Sequence, residues 1–214
     1  MTTLLIASGN AGKLREFEAI LASLGLEGLK IEFVLPKNVG IELDIVEDGA
    51  TYAQNAAKKA VAYARASGLV TLADDSGLEV DALGGEPGLY SARYAPWPGA
   101  TDADRRQVLL QNLRDFAQPW PAHFHCTIAI ATPQGDVYYA EGDCPGEIIS
   151  EERGSNGFGY DPIFYLPELG KTMAELPGDK KNRLSHRARA TIAAIPVLKQ
   201  LFGSSNSPDV EPLL

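Results

Sequence analysis

Two acids stand side by side in Ala73-Asp74-Asp75-Ser76-Gly77, directly after an apolar run that begins at Leu69. Carboxylates placed there are costly to bury without a partner, and a hard cation such as Mg2+ binds such oxygens together with phosphates and waters. Glu47 is a candidate second carboxylate for that cation, with Asp48 and Glu42 as rivals. A second group with chemical potential is Ser8-Gly9-Asn10-Ala11-Gly12-Lys13. Glycines between a strand and a helix let backbone N–H groups approach an anion, and the helix N-terminus adds partial positive charge. Lys13 would add a full charge. The loop matches neither familiar nucleotide pattern. Ala7 and Leu14 stand where a Walker A loop needs Gly and Ser or Thr, and Ala7 also breaks a G-x-G-x-x-G pattern.

Two further segments lie toward the C-terminus. Phe158-Gly159-Tyr160-Asp161 offers an aromatic platform for stacking, although aromatics in a glycine-rich turn also plug cores. Lys181 and Ser185-His186-Arg187 offer donors for phosphate or for base oxygens, where a plainer reading is a solvated basic helix end. Arg93 either approaches the acids or pairs with an acid nearby. His123, His125 and Cys126 alternate along a strand pattern and read as core and surface positions without a metal.

These residues need elements to carry them. Leu4 to Ala7 reads as a buried strand, followed by a helix with Leu14, Phe17, Ile20, Leu21 and Leu24 at helical spacing. Thr51 and Gln54 form a capping box for an alanine-rich helix that Gly68 stops. A strand from Leu69 to Ala73 is expected to end on the two acids, whose alternation lets only one face a given cleft. Thr101 and Asp104 open a third helix carrying Val108, Leu109, Leu113 and Phe116. Phe124 to Thr132 and Val137 to Glu141 flank a turn and predict a β-hairpin. Ser185 caps a last helix that runs to about Leu201. The pattern is that of an α/β fold, a mixed central sheet flanked by helices.

Composition narrows the classes of partner. The 214 residues are 45% hydrophobic and 22% charged, the balance of an ordinary globular protein. A net charge of -9 argues against a nucleic-acid polymer as partner, since such binding needs a basic face. Yet Lys180, Lys181, Arg183, Arg187 and Arg189 crowd together, which suits a small anion. Two cysteines give no disulfide framework, and neither a signal peptide nor a membrane span is evident, so a cytoplasmic protein with no membrane partner is expected.

Taken in order, five segments resemble one family: Ser8 to Lys13, Ala73 to Leu78, Leu83-Gly84-Gly85 through Tyr94, Gly157 to Pro162 and Ser185-His186-Arg187. The chain is similar to the inosine/xanthosine triphosphate pyrophosphatases from about Leu4 to about Leu201. A domain over residues 1–202 is expected, followed by a flexible tail at 203–214 that is rich in Ser, Pro and acids. The resemblance implies two lobes with a substrate cleft between them, a homodimer, and Mg2+ as cofactor. The implied reaction converts ITP, dITP and XTP to the monophosphate and pyrophosphate, removing deaminated purines from the nucleotide pool. By position, Ser8, Gly9, Asn10, Ala11, Gly12, Lys13 and Lys181 would hold the triphosphate. Asp75 would be proton acceptor and metal ligand with Glu47 as helper, and Ser76 would touch substrate. Phe158, Gly159, Tyr160, Asp161, His186 and Arg187 would hold the nucleotide, chiefly the base. Two departures stand out: Gln54 where members usually have Glu, and Val46-Glu47 where two acids are common.

A donor such as His186 or Arg187 suits the 6-oxo acceptor of hypoxanthine and xanthine. Adenine would leave that donor unsatisfied, at a cost of ~1–3 kcal/mol in a buried site. A non-catalytic purine-nucleotide sensor is a second reading, and a pyrophosphatase for modified pyrimidine or methylated nucleotides a third.

Overall fold

The computed structural model describes residues 2–23 and 31–203. Its strands are β1 (Thr2–Ile6), β2 (Ile31–Val34), β3 (Val70–Val80), β4 (Trp120–Ala131), β5 (Val137–Ile148), β6 (Phe164–Leu166) and β7 (Lys171–Thr172). The helices are α1 (Ala11–Ser23), α2 (Tyr52–Ser67), α3 (Asp102–Leu113), α4 (Gly178–Leu184) and α5 (His186–Phe202). The strands form one mixed sheet in the order β2-β1-β3-β4-β5-β6-β7. β2 and β3 run parallel to β1, whereas β3 through β7 pair antiparallel. This is the α/β class expected from the sequence. Leu24 and all of the expected tail beyond Gly203 lie outside the described residues.

Each expected N-cap is in place, although the Thr51–Gln54 box is only half formed because Gln54 Oε1 accepts from Ala50 N–H instead of Thr51 N–H. Thr51 Oγ1 accepts from Gln54 N–H at 3.2 Å, and Ser185 Oγ accepts from Ala188 N–H at 3.2 Å. Thr101 and Asp104 satisfy each other's backbone N–H groups at the start of α3. Two boundaries differ from expectation. α3 ends at Leu113, leaving Phe116 beyond it and 45% exposed. The hairpin strands are also longer than expected, reaching back to Trp120 and on to Ile148.

A larger correction concerns β3, which does not stop at Ala73. β4 pairs with it in unbroken antiparallel register from Thr71 to Val80, so both acids lie inside the strand. The parallel ladder with β1 ends earlier, at Ile6 opposite Leu72. From Asp74 to Gly77 one edge of β3 is therefore open on the β1 side.

Alternation along β3 then sorts its side chains. Leu72, Leu78 and Val80 lie on one face, with Asp74 and Ser76 between them. Leu72 belongs to an apolar cluster with Leu4, Ile6, Phe17, Ile128, Ala190 and Leu198 beneath α1 and α5. Leu78 and Val80 belong to a separate cluster with Leu109, Leu113, Trp120, Phe164 and Met173 beneath α3. Asp74 and Ser76 mark the gap between these two cores. On the opposite face α2 rests on an almost purely alanine contact of Ala56, Ala60 and Ala64 against Ala7, Ala73, Ala129 and Ala131. Such small side chains bring the helix backbone close to the sheet.

Candidate active site

A cleft of 390 Å³ opens along the unpaired edge of β3. That volume falls in the range of small-molecule sites. Its walls include Ser8, Gly9, Asn10 and Lys13 from the first loop, Asp75 to Leu78 from β3, and Glu47 and Lys59 from the α2 side. Phe158 to Asp161, Lys181, His186 and Arg187 complete it. Ala11 and Gly12, in the first turn of α1, do not line it. A larger groove of 590 Å³ lies against Leu83, Glu86, Asp115 and Phe116, away from the β3 acids and the first loop.

The first loop is built by Asn10. Its side-chain oxygen accepts from Gly12 N–H at 2.8 Å and Lys13 N–H at 3.2 Å, capping α1. Lys13 Nζ then reaches Asp74 at 2.9 Å. Phe158 packs directly on this turn; a Cβ at Gly12 would lie 2.8 Å from its ring, so only glycine permits the contact.

Asp74 and Asp75 occupy opposite environments. Asp74 is 1% exposed and paired with Lys13 and, at 3.3 Å, with Arg187; it does not line the cleft. Burial alone would raise its carboxyl, but Lys13, Arg187 and Lys59 together hold it well below the usual carboxylate range. Asp75 lines the cleft and accepts from Asn55 Nδ2 and from Ser76 N–H, each at 2.9 Å. Burial wins there. It pushes the Asp75 carboxyl up, aided by Glu47 and only partly countered by Lys13, Asn55 and Lys59.

Glu47 is the one rival helper that shares the cleft with Asp75. Asp48 pairs with Lys58 at the surface, and Glu42 is exposed outside the cleft. Lys59 Nζ lies 2.5 Å from Glu47 and donates to the Asp74 carbonyl at 2.6 Å. Burial alone would lower this ammonium, but Asp74 and Glu47 raise it. Arg93 approaches the acids without pairing with one: it lines the cleft and donates to the Glu47 backbone carbonyl at 3.3 Å.

The C-terminal cations are already matched by acids. Lys181 Nζ sits 2.7 Å from Glu16 and 2.5 Å from Asp161, and Arg187 pairs with both Glu16 and Asp74. Arg187 also donates to Ser76 Oγ at 3.1 Å, leaving only Nε without a partner among the described residues. His186 stacks on Phe124 with centroids 4.8 Å apart, and its Nδ1 is likewise unpartnered. Burial, with Arg187 and Lys181 adjacent, holds its imidazole well below the ordinary value, so it is neutral at pH 7.

Only part of the expected aromatic platform faces the cleft freely. The Phe158 ring lies 4.9 Å from Lys181 Nζ. Tyr160 is 4% exposed and tied by its hydroxyl to the Ser91 carbonyl at 2.9 Å. Asp161 accepts from Phe158 N–H at 2.8 Å and so shapes the turn. α3 grips the same turn from outside, with Asp102 accepting from Gly159 N–H and Arg106 donating to the Gly159 carbonyl, both at 2.7 Å.

Sequence reasoning missed Glu16, Asn55 and Lys59. A signal existed for each. Glu16 follows Lys13 by one turn beside buried Phe17, and Lys59 follows buried Asn55 at a four-residue spacing, next to the buried alanines of α2.

Comparison with known proteins identifies the family and the fold. The Ham1 family model matches residues 4–197. The dITP/XTP pyrophosphatase of Desulforamulus reducens is 46% identical over 201 residues, covering 93% of this chain and 96% of that one. The dITP/XTP pyrophosphatase of Geobacillus kaustophilus is 47% identical over 193 residues, covering 89% and 91%. The solved structure of a HAM1 protein from Coxiella burnetii superposes with a TM-score of 0.82 at 41% identity, covering 94% of this chain and all of that one. With matches of that extent along the chain and through the fold, this protein belongs to the Ham1 family.

Proposed function

We propose that this chain hydrolyses the triphosphates of deaminated purines, dITP, XTP and ITP, to the nucleoside monophosphate and pyrophosphate. The observation that carries the reading is the placing of Asp75. A desolvated carboxylate lines a nucleotide-sized cleft beside Glu47, with the capped α1 turn and Lys13 on the adjoining wall. Relatives named for the same activity, aligned over about nine-tenths of the chain, support it.

The donor set suits a hard divalent cation, and we assign Mg2+. Asp75 and Glu47 offer carboxylate oxygens to the same cleft, and a cation would relieve the burial that opposes Asp75 ionisation. When bound, such an ion would neutralise charge on the phosphates and help orient a water.

The chain's own groups do the rest. Lys13 receives the phosphates together with the Ser8, Gly9 and Asn10 wall of the cleft, and Lys59 keeps the Glu47 wall electrically balanced. Asp75 takes the proton of a water directed at the α-phosphorus, so pyrophosphate leaves in a single cut. Asn55 and the Ser76 N–H hold the carboxylate in place for that transfer. Phe158 stacks on the base, and neutral His186 and the unspent Arg187 Nε, both from residues lining the cleft, serve as donors to its 6-oxo group. A homodimer, on the strength of the resemblance, and a cytoplasmic setting, from the sequence, belong to the same reading. Among the described residues no helix is long and apolar enough to cross a membrane.

The test is a product assay with ITP, XTP, GTP and ATP, with and without Mg2+. Pyrophosphate released from the first two far faster than from the others is the expected result. Equal rates on all four would remove the substrate assignment, and orthophosphate as sole product would remove the reaction.

A further inference from the structure

Asn55 is among the most buried polar residues of the molecule, at 1% exposure, and it touches neither the cleft nor solvent. It sits in the first turn of α2, where a polar side chain facing the sheet has to be satisfied locally. Both halves of its amide are used. Nδ2 donates to Asp75 Oδ2 at 2.9 Å, and Oδ1 accepts from Gly49 N–H at 2.7 Å. The orientation of the amide is fixed by chemistry, because a backbone N–H can only donate and a carboxylate can only accept.

The second of these contacts leads to the other acid. Glu47 lies two residues before Gly49 on a segment without helix or strand, so its position is set by side-chain contacts: Lys59 on its carboxylate, Arg93 on its carbonyl, and the hold of α2 on the peptides that follow it. The start of α2 grips that segment at consecutive peptides: Gly49 through Asn55, and Ala50 through Gln54 Oε1 at 2.7 Å. The approach is too close for a side chain. A Cβ at Gly49 would stand 2.6 Å from Asn55 Oδ1 and 2.8 Å from Gln54 Cβ. One planar amide thus joins the proton-accepting carboxylate on β3 to the segment that carries the second carboxylate.

We propose that Asn55 is a positioning residue that sets the spacing of Asp75 and Glu47, and thereby the affinity for the divalent cation and the rate, without contacting substrate. The inference rests on the assignment of Asp75 and Glu47 as the cation's carboxylates. Residues that orient ligating groups from behind are worth about 10–100-fold in metal affinity or activity.

The experiment uses the full chain and Mn2+ as a paramagnetic probe. Mn2+ binding to nucleotide-free protein is measured by electron paramagnetic resonance, beside kcat and KM for dITP at saturating Mg2+ and thermal melting. Asn55→Leu keeps the side-chain size and removes both hydrogen bonds. It should weaken Mn2+ binding about tenfold or more and lower kcat about 10–100-fold, with KM changed less than kcat. Gly49→Ala keeps the Asn55 amide and both its hydrogen-bonding groups but crowds Asn55 Oδ1 and Gln54, and so displaces the Glu47 segment from α2. It should weaken Mn2+ binding in the same direction by a smaller factor. Mn2+ affinity and kcat within twofold of the parent for Asn55→Leu, even with a lowered melting temperature, would overturn the proposal. If Asn55→Leu does not fold, unchanged Mn2+ affinity in Gly49→Ala overturns it. Asp75→Asn and Glu47→Gln separate the levels. Should both retain Mn2+ binding, the carboxylate assignment itself fails; should both lose it while Asn55→Leu does not, only the role of Asn55 fails.

Discussion

Asp74 and Asp75 are neighbours in one strand, yet the two faces of the sheet give them opposite tasks. Toward α1 and α5, Asp74 meets Lys13 and Arg187 in a site closed to solvent and is held as a permanent anion. Toward α2, Asp75 meets one amide and one backbone N–H, with Lys13 and Lys59 only partly offsetting its burial, and its ionised form is disfavoured. The first arrangement suits an electrostatic strut, because a charge with fixed partners has no reason to move its proton. The second suits a base, because a carboxylate that resists ionisation gains from a nearby cation or proton. Side-chain alternation puts the two roles within one peptide of each other without mixing them.

Mutating the two acids separately should pull them apart. Asp75→Asn should lower pyrophosphate release by about 10³-fold or more, within the reach of general-base catalysis, while dITP still binds by calorimetry. The same variant, free of metal, should melt no lower than the parent, since a desolvated charge has been removed. Turnover that survives would end the contrast. Asp74→Asn should do the reverse, destabilising the fold by about 3 kcal/mol or more in urea unfolding, because Arg187 and Lys13 lose their buried partner. A stability change under 1 kcal/mol would show that Asp74 is no strut.

Lys59→Met probes the bridge between the faces, since this lysine binds both Glu47 and the Asp74 carbonyl. Activity should fall about 10–100-fold with little change in folding, read by kcat against the urea midpoint. Unaltered kcat would confine Lys59 to packing.

The smallest expected effect is in pH. The lowered Asp74 pKa contributes stability that is full above the ordinary carboxylate value and is lost as pH falls through its folded value. The raised Asp75 pKa has the opposite sign, so its contribution declines as pH rises from the ordinary value through the raised one. Urea midpoints in chelator from acid to neutral pH should therefore show Asp75→Asn gaining on the parent as pH rises. Parallel curves for the two proteins would contradict the raised value.

Much of this arrangement was legible before any coordinates. Thr51, Thr101 and Ser185 announce their helices because capping is local chemistry, settled within four residues. The Ser8 to Lys13 turn and the double acid of β3 are readable for the same reason. The extension of β3 to Val80 was not, because the partner that sustains it, β4, lies about fifty residues further on and pairs from the side opposite β1. Glu16 was invisible for a related reason. An acid in an amphipathic helix reads as solvent-facing until Lys181 and Arg187, distant in sequence, arrive to neutralise it. Tyr160 illustrates the converse: its type suggested a stacking surface, but a single hydrogen bond to Ser91 turns it inward.

The alanine seat under α2 has a consequence for how this enzyme tolerates change. Ala56, Ala60 and Ala64 carry no chemistry, yet they set the height at which Asn55 and Lys59 hang over the sheet. Enlarging any of them would lift the helix as a stiff rod and move both polar groups together. The seat thus behaves as a gauge block: substitutions there should register as lost turnover before they register as lost folding, and a mutational scan would flag plain methyl groups as if they were active-site residues.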